Sequence, residues 1–211
     1  MERVKIFPKN YKKTIKTLVS LIKKGKVLVC PTDTVYGLIC DATNKKAVEQ
    51  VFKIKKRSYK KPIPVFVKDI GLAKKIARID KKQERFLKKV WPGKVTVILE
   101  AKEKFPRGVL GSDNKIGIRI PNYKPVLSLL KKLNTSLSST SANISEIPGS
   151  GKIEEVIKQF SRRKNKPDLI VDAGNLKPSK SSTVVDLTDN RLIILRKGAV
   201  NIKSISRAYR Q

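Results

Sequence analysis

Apolar and polar residues follow two different periods along this chain. Helical spacing of apolar residues predicts helices over residues 11–24, 45–56, 70–78, 81–90, 123–132 and 152–163, with a last short helix capped by Asn201. Short apolar runs predict strands over residues 26–30, 63–67, 95–99, 116–120, 169–171, 183–187 and 192–195. Helices interspersed with strands, some of them consecutive near the C-terminus, predict an α/β fold with a mixed sheet. Because no stretch rich in Pro, Gly or Ser divides the chain, we expect one domain over residues 1–211.

The composition excludes several classes of chemistry. The 211 residues contain no histidine, so nucleophiles activated by imidazole, zinc sites with histidine ligands and histidine proton shuttles are ruled out. The two cysteines, Cys30 and Cys40, are too few for a zinc ribbon or a disulfide framework. They are also too far apart in sequence for a redox pair, so we interpret both as small core residues.

The charge balance is strongly positive, because 49 Lys and Arg residues against 17 Asp and Glu residues give a net charge of +32. Such a field attracts polyanions. Nucleic acid, ATP and acidic membranes all fit it, and a lysine-rich or heat-adapted proteome is the alternative explanation. The N-terminus has no apolar signal region, and no apolar run approaches the roughly 18 residues of a membrane span. We therefore expect a soluble, cytoplasmic protein with no membrane partner.

Three polar segments are candidates for chemistry. Residues 31–38 place two Thr hydroxyls and a carboxylate after a predicted strand, where open α/β sheets bind ligands, although an ordinary turn uses the same residue types. Residues 55–61 contain several lysines and an arginine close together. Such a cluster of cations suits a triphosphate, but it is also typical of a solvated helix end. Residues 136–143 crowd six hydroxyl or amide side chains, which can line a polar pocket or form a Ser-rich surface loop.

Seven motifs follow one another along the chain, from about residue 15 to residue 198: Pro31-Thr32-Asp33-Thr34-Val35-Tyr36-Gly37-Leu38, Lys55-Lys56-Arg57 with Pro62, Trp91-Pro92-Gly93-Lys94-Val95-Thr96, Ile118-Arg119-Ile120-Pro121, Ser139-Thr140-Ser141-Ala142-Asn143, Ser182-Thr183-Val184-Val185-Asp186 and Ile194-Leu195-Arg196-Lys197-Gly198. In order and spacing they resemble the YrdC-type threonylcarbamoyl-AMP synthases. The chain length is similar to that of the short form, which lacks an extra C-terminal domain. The resemblance implies a single-domain twisted open mixed sheet, with flanking helices, around a large basic cavity.

The resemblance also implies a reaction. L-Threonine, bicarbonate or carbon dioxide, and ATP give threonylcarbamoyl-AMP and pyrophosphate, with Mg²⁺ carried by the ATP. The product is the donor for the threonylcarbamoyl-adenosine modification of tRNA, and a separate threonylcarbamoyl transferase receives it. Binding of tRNA to the basic cavity belongs to the same expectation.

Carried over residue by residue, the resemblance implies two sets of binding residues. L-Threonine is expected at Thr34, Arg119, Ser139 and Ser182, with Arg119 facing its carboxylate. ATP is expected at Arg57, Lys61, Lys115, Ser141, Asn143 and Arg196. Arg57 and Lys55 are the expected catalytic residues, and no metal site of the protein's own is expected.

The chain departs from the family pattern at three places. Phe66 stands where many members have His, Ser145-Glu146 replaces Ser-Gly, and Lys94 replaces the last residue of Trp-Pro-Gly-Pro. Because a phenyl ring cannot donate a hydrogen bond, we expect one threonine contact to be lost or replaced at Phe66.

Two other functions stay open at this point. A nonenzymic protein that holds tRNA or rRNA fits the charge, but only 6% of the residues are aromatic and no aromatic strand for base stacking is visible. A carbamoyl transferase domain of a larger protein, such as a hydrogenase maturation factor, would share the fold. The lack of zinc-finger sequence in the chain argues against that second alternative.

Overall fold

The computed structural model describes residues 1–189 and 191–210. Seven α-helices lie in these residues: α1 (Tyr11–Lys23), α2 (Lys45–Lys55), α3 (Ile70–Ile76), α4 (Lys81–Val90), α5 (Lys124–Leu133), α6 (Ile153–Phe160) and α7 (Ile202–Arg210). The same residues form eleven strands: β1 (Glu2–Lys5), β2 (Leu28–Cys30), β3 (Gly37–Ile39), β4 (Val65–Phe66), β5 (Val95–Glu100), β6 (Lys115–Arg119), β7 (Leu137–Ser138), β8 (Thr140–Ser141), β9 (Leu169–Asp172), β10 (Thr183–Asp186) and β11 (Ile193–Arg196).

The strands are arranged in two mixed sheets. The first sheet has the order β1-β9-β2-β3-β8, and the second has the order β11-β10-β5-β6-β4-β7. In the first sheet β9 pairs in parallel with β1 and β2, whereas β3 runs antiparallel to β2 and β8. In the second sheet parallel and antiparallel pairs alternate. The predicted α/β class with mixed strand directions is confirmed, although the strands divide between two sheets rather than forming one.

Residues 137–141 connect the two sheets. β7 pairs with β4 of the second sheet, and β8 pairs with β3 of the first sheet after a single intervening residue, Ser139. The Ser138 hydroxyl reinforces this connection, since it accepts from the Cys40 N–H at 2.9 Å and donates to the Leu38 carbonyl at 3.2 Å. The chain therefore passes directly from one sheet to the other, with Ser139 at the crossing.

Two apolar clusters form the core. In one of them α1 buries Ile15, Leu18 and Ile22, which recur at helical spacing, together with residues of α5, β2 and β9. The other cluster joins α2 and α4 to the second sheet. Cys30 belongs to the first cluster and Cys40 to the second, and burial raises the pKa of each thiol to about 12. Neither cysteine is ionised near neutral pH, which agrees with their interpretation as core residues.

The predicted helices are all present, and their ends differ from the prediction by at most three residues. The last helix begins after Asn201, whose side-chain oxygen accepts from the Lys203 N–H at 2.8 Å and caps α7 as predicted. The strands β1, β3, β7 and β8 were not predicted. They are two to four residues long, which is too short to show a clear alternation.

Candidate active site

Both sheets contribute to one open cleft. The first sheet supplies the segment between β2 and β3, and the second supplies β4, β6 and the ends of β10 and β11. Residues 139–141, at the crossing between the sheets, complete the wall. The large basic cavity that the family resemblance implies stays a prediction, but three arginines line this cleft.

Arg119 is the most buried of the three arginines, with 4% of its side chain exposed. Its Nη2 donates to Asp33 Oδ1 at 2.6 Å, and its Nε donates to the Gly93 carbonyl at 2.8 Å. Nη1 lies 3.4 Å from Thr34 Oγ1. Burial lowers the pKa of Arg119, and the Asp33 carboxylate opposes that shift. Three of the five guanidinium N–H groups are thus engaged, and two are left for a ligand.

Arg57 and Arg196 are fixed by backbone carbonyls rather than by carboxylates. Arg57 donates to the carbonyls of Lys61 and Pro62 at 2.6 and 3.1 Å. Arg196 donates to the Ser182 carbonyl at 2.8 Å and to the Ser182 hydroxyl at 3.1 Å. Burial lowers the pKa of both guanidinium groups, and the charge of Arg196 lowers the pKa of Arg57 further. Both side chains are therefore held in place while their charges stay unbalanced.

The local chain path explains how Arg57 reaches the cleft. Asn44 caps the start of α2 through its side-chain oxygen, which accepts from the Ala47 N–H at 3.1 Å. The residue that caps the end of the helix is Lys56, which adopts the left-handed conformation with φ of 50°. This turn reverses the direction of the chain immediately before Arg57. As a result, the residue after the helix cap enters the cleft.

The hydroxyl groups of the cleft fall into two sets. The first set is engaged within the protein: Thr32 Oγ1 donates to the Val35 carbonyl at 2.6 Å, and the Ser182 and Thr96 hydroxyls lie 2.8 Å apart. The second set has no hydrogen bond to a described residue and consists of the hydroxyls of Ser139, Thr140, Ser141 and Ser181. This second set is available to a ligand. The resemblance named Ser139 and Ser141 of these, and it missed Thr140 and Ser181.

Lys55 is buried behind the cleft wall and does not line it. Its ammonium donates to the Ser141 carbonyl at 2.6 Å, the Asn143 carbonyl at 2.9 Å and Asn143 Oδ1 at 2.8 Å. Only 1% of the residue is exposed. Burial is the main cause that lowers the pKa of Lys55 to about 7, and the charge of Arg57 contributes to the same shift. Lys55 therefore fixes the loop that presents the Ser141 hydroxyl.

The structure brings seven of the expected site residues together and leaves four outside the cleft lining. Those that line the cleft are Thr34, Arg57, Arg119, Ser139, Ser141, Ser182 and Arg196. Outside it, besides Lys55, Asn143 is buried and donates to the carbonyls of Ile144 and Ile147. Lys115 pairs with Asp186 at 3.3 Å, and Lys61 is exposed.

Three further residues shape the site, although none of them is among the expected catalytic or binding residues. Asp33 pairs with Arg119, as described above. Tyr36 is buried, and its hydroxyl donates to the Gly174 carbonyl at 2.6 Å and accepts from the Ala173 N–H at 3.1 Å. Phe66 lines the cleft, and its ring centroid lies 5.6 Å from the Arg119 guanidinium carbon. Asp33 and Tyr36 lie in the polar segment 31–38, which the sequence marks as a candidate for chemistry. Their hydrogen-bond partners lie far away in sequence, so the contacts themselves could not be predicted.

A family model described as "Telomere recombination", for the Sua5, YciO and YrdC proteins, matches residues 20–198. The chain belongs to the Sua5/YciO/YrdC family. A protein named "Putative threonylcarbamoyl-AMP synthase" from Methanocaldococcus jannaschii is 35% identical over 93% of this chain and 91% of that relative. The Escherichia coli protein YciO, described as uncharacterized, is 31% identical over 94% of this chain and 96% of its own length.

A solved structure supports the same family membership. The crystal structure of Pyrococcus abyssi Sua5 complexed with L-threonine superposes with a TM-score of 0.88 at 28% identity. The match covers 98% of this chain and 60% of that one, so this chain spans less than two thirds of the Sua5 structure. Within residues 1–189 and 191–210, no helix has the length and apolarity needed to cross a membrane.

Proposed function

We propose that the cleft binds L-threonine and ATP and forms threonylcarbamoyl-AMP and pyrophosphate with bicarbonate or carbon dioxide as the third reactant. One observation carries the proposal: three guanidinium groups converge on the cleft, and Asp33 is the one carboxylate among the described residues that pairs with any of them. The site thus has about two positive charges in excess. A carboxylate together with a polyphosphate would balance them.

We assign the two ends of the cleft to the two substrates. Arg119, with two free N–H groups beside the hydroxyl of Thr34, is placed to hold the threonine carboxylate. Arg57, Arg196 and the Ser141 hydroxyl would hold the phosphates of ATP. The family resemblance adds Ser139 and Ser182 to the threonine set, and adds Lys61, Lys115 and Asn143 to the ATP set. These last three would have to act from beyond the present cleft lining.

The reaction balances without a covalent enzyme intermediate. The threonine amine attacks carbon dioxide, forms a C–N bond and loses a proton, which gives a carbamate. A carbamate oxygen then attacks the α-phosphorus of ATP, and the bond from that phosphorus to the bridging oxygen breaks. Pyrophosphate leaves with the electron pair of that bond. The arginines would offset the charge on both the phosphorus and the leaving group.

The residue types in the cleft are sufficient for this chemistry. Alignment of two bound reactants can lower a barrier by roughly 7 to 11 kcal/mol, and a fixed donor at a developing charge by roughly 3 to 4 kcal/mol. Neither contribution requires imidazole. The described lining of the cleft contains no carboxylate, so Mg²⁺ would arrive on the phosphates of ATP, as part of the substrate.

We extend the proposal to the partners and the compartment. A separate transferase would receive the labile adenylate and modify tRNA, and the protein would work in the cytoplasm. The enzymatic function is favoured over a purely RNA-binding one, because relatives over nearly the whole chain carry the synthase name. A cleft of free hydroxyls and fixed arginines also suits small anions better than stacked bases.

The test is to incubate the pure protein with labelled bicarbonate, L-threonine, ATP and Mg²⁺ and to look for a threonine-dependent labile adenylate. We expect Arg57→Ala and Arg196→Ala to abolish pyrophosphate release. Arg85→Ala, which removes an exposed arginine of α4, is the matched control and should leave the rate unchanged. If wild-type protein released pyrophosphate at the same rate without threonine, the proposed reaction would be wrong.

A further inference from the structure

A second groove lies at the C-terminal end of α2. It is an open groove between the end of α2 and the chain that follows α6. Its lining contains five cationic residues and no acidic one: Lys53, Ile54, Lys56, Arg162, Arg163, Lys164 and Asn165. It shares no lining residue with the candidate active site.

The cations of this groove are not neutralised by neighbouring carboxylates. Within residues 1–189 and 191–210, none of the five forms an ion pair, and Arg163 donates to the Gln159 carbonyl at 3.0 Å. A comparable groove beside Lys24 and Lys26 is different. There Asp168 lines the wall and pairs with Lys26 at 3.0 Å.

The negative ends of neighbouring helix dipoles balance only a small part of the positive charge in this groove. α2 and α6 both finish beside the groove, and each helix C-terminus carries about half a negative charge that favours nearby cations. Two such ends supply about one negative charge against five positive ones. About four positive charges are therefore unmatched, in a concave site that would concentrate their field.

We propose that this groove binds the phosphate backbone of RNA. Ammonium and guanidinium groups can contact phosphates whatever the base sequence, and the described lining holds no aromatic ring on which a base could stack. A concave groove accommodates the ridge of a nucleic-acid strand better than the flat surface of a membrane. The choice of RNA over DNA rests on the proposed function, whose product serves tRNA modification.

The groove and the cleft are adjacent through consecutive residues. Lys56 lines the groove, and Arg57 lines the cleft. The residues that follow α2 thus contribute their cations to two different sites. RNA on the groove would lie next to the pocket in which the adenylate forms.

The test compares two triple variants that each remove three positive charges. Lys53→Gln/Arg162→Gln/Lys164→Gln changes exposed groove residues, and Lys12→Gln/Lys13→Gln/Lys16→Gln changes exposed residues of α1. Gln retains helix propensity close to that of Lys, so both variants should fold. Binding of a fluorescent RNA hairpin is followed by anisotropy between about 50 and 200 mM KCl, without threonine or ATP. A DNA hairpin, anionic vesicles and an acidic peptide serve as competitors.

We expect the groove variant to lose about tenfold or more in RNA affinity at about 100 mM salt, and the slope of log K against log salt to fall by about 2 to 3. The α1 variant should change affinity by less than about threefold, and pyrophosphate release should be unchanged in both. Equal losses of RNA affinity in the two variants would mean that the overall positive charge of the protein, rather than this groove, binds RNA. That result would overturn the proposal. So would absence of RNA binding by the wild type, or displacement by vesicles, peptide or DNA at lower concentration than by unlabelled RNA. Since the titration needs no catalysis, its outcome is independent of the proposed reaction.

Discussion

Replacement of Asp33 by Asn removes the carboxylate that balances Arg119, and it changes the size of the side chain very little. Asp33 and Arg119 expose 7% and 4% of their side chains, and their paired atoms lie 2.6 Å apart. The second oxygen of Asp33 accepts from the Asn122 N–H at 3.1 Å. The variant therefore leaves a buried guanidinium uncompensated and also weakens a backbone contact.

The size of the effect follows from these contacts. Two unit charges about 4 Å apart interact by about 4 kcal/mol at an effective dielectric constant of about 20, and loss of one partner of a buried pair costs about 3 to 5 kcal/mol. We expect Asp33→Asn to lower the free energy of unfolding by about 3 kcal/mol. Because domains are stable by only about 5 to 15 kcal/mol, the loss is a large fraction of the total.

Urea unfolding at low salt, followed by circular dichroism, measures this loss. Asp69→Asn is the control: that carboxylate is 53% exposed and accepts from the Leu72 N–H at the start of α3, a cap that Asn also provides. It should change the free energy of unfolding by less than about 0.5 kcal/mol. Added pyrophosphate should stabilise Asp33→Asn more than the wild type, since it supplies the missing negative charge. A loss below about 1 kcal/mol, or no extra response to pyrophosphate, would refute this account of the site.

Three further results are expected. Arg119→Ala should raise the KM for threonine far more than the KM for ATP in the pyrophosphate assay, because it removes the two N–H groups assigned to the carboxylate; an unchanged threonine titration would contradict that assignment. Lys55→Met should lower the free energy of unfolding by about 3 kcal/mol, since three buried acceptors lose their donor, and it should reduce kcat through the displaced Ser141 loop; a variant with normal kcat would refute the positioning role. The pKa of Lys55 falls from 10.5 to about 7 on folding, so the unfolded chain binds more protons in that window. The stability of the wild type relative to Lys55→Met should therefore rise as pH increases from about 7 towards 10.5, and a flat difference in urea unfolding would count against the buried ammonium.

The sequence was sufficient to predict features that depend on local pattern. The period of Ile15, Leu18 and Ile22 predicts α1 because one helical face must be apolar to pack. β7 and β8 were missed because strands of two residues, rich in Ser and Thr, show no alternation. Their pairing is decided by distant partners in β4 and β3.

The same limit applies to the candidate site. The resemblance indicates which residue types belong to the cleft, and seven of those residues do line it. It does not indicate that Arg119 is paired with Asp33, which is 86 positions away, or that Lys55 faces a loop 86 to 88 positions away. Such contacts depend on how two sheets meet, and no local period encodes that relationship.

The crossing at Ser139 has a consequence for the order of assembly. Loop closure makes contacts between distant segments slow to form, and β8 can join β3 only after about 100 residues of intervening chain have been arranged. The wall that carries Ser139 and Ser141 is therefore complete only once β7 and β8 have joined their respective sheets. A nascent or partly folded chain would possess a basic surface but no working pocket, so catalytic competence would itself report that both sheets have docked.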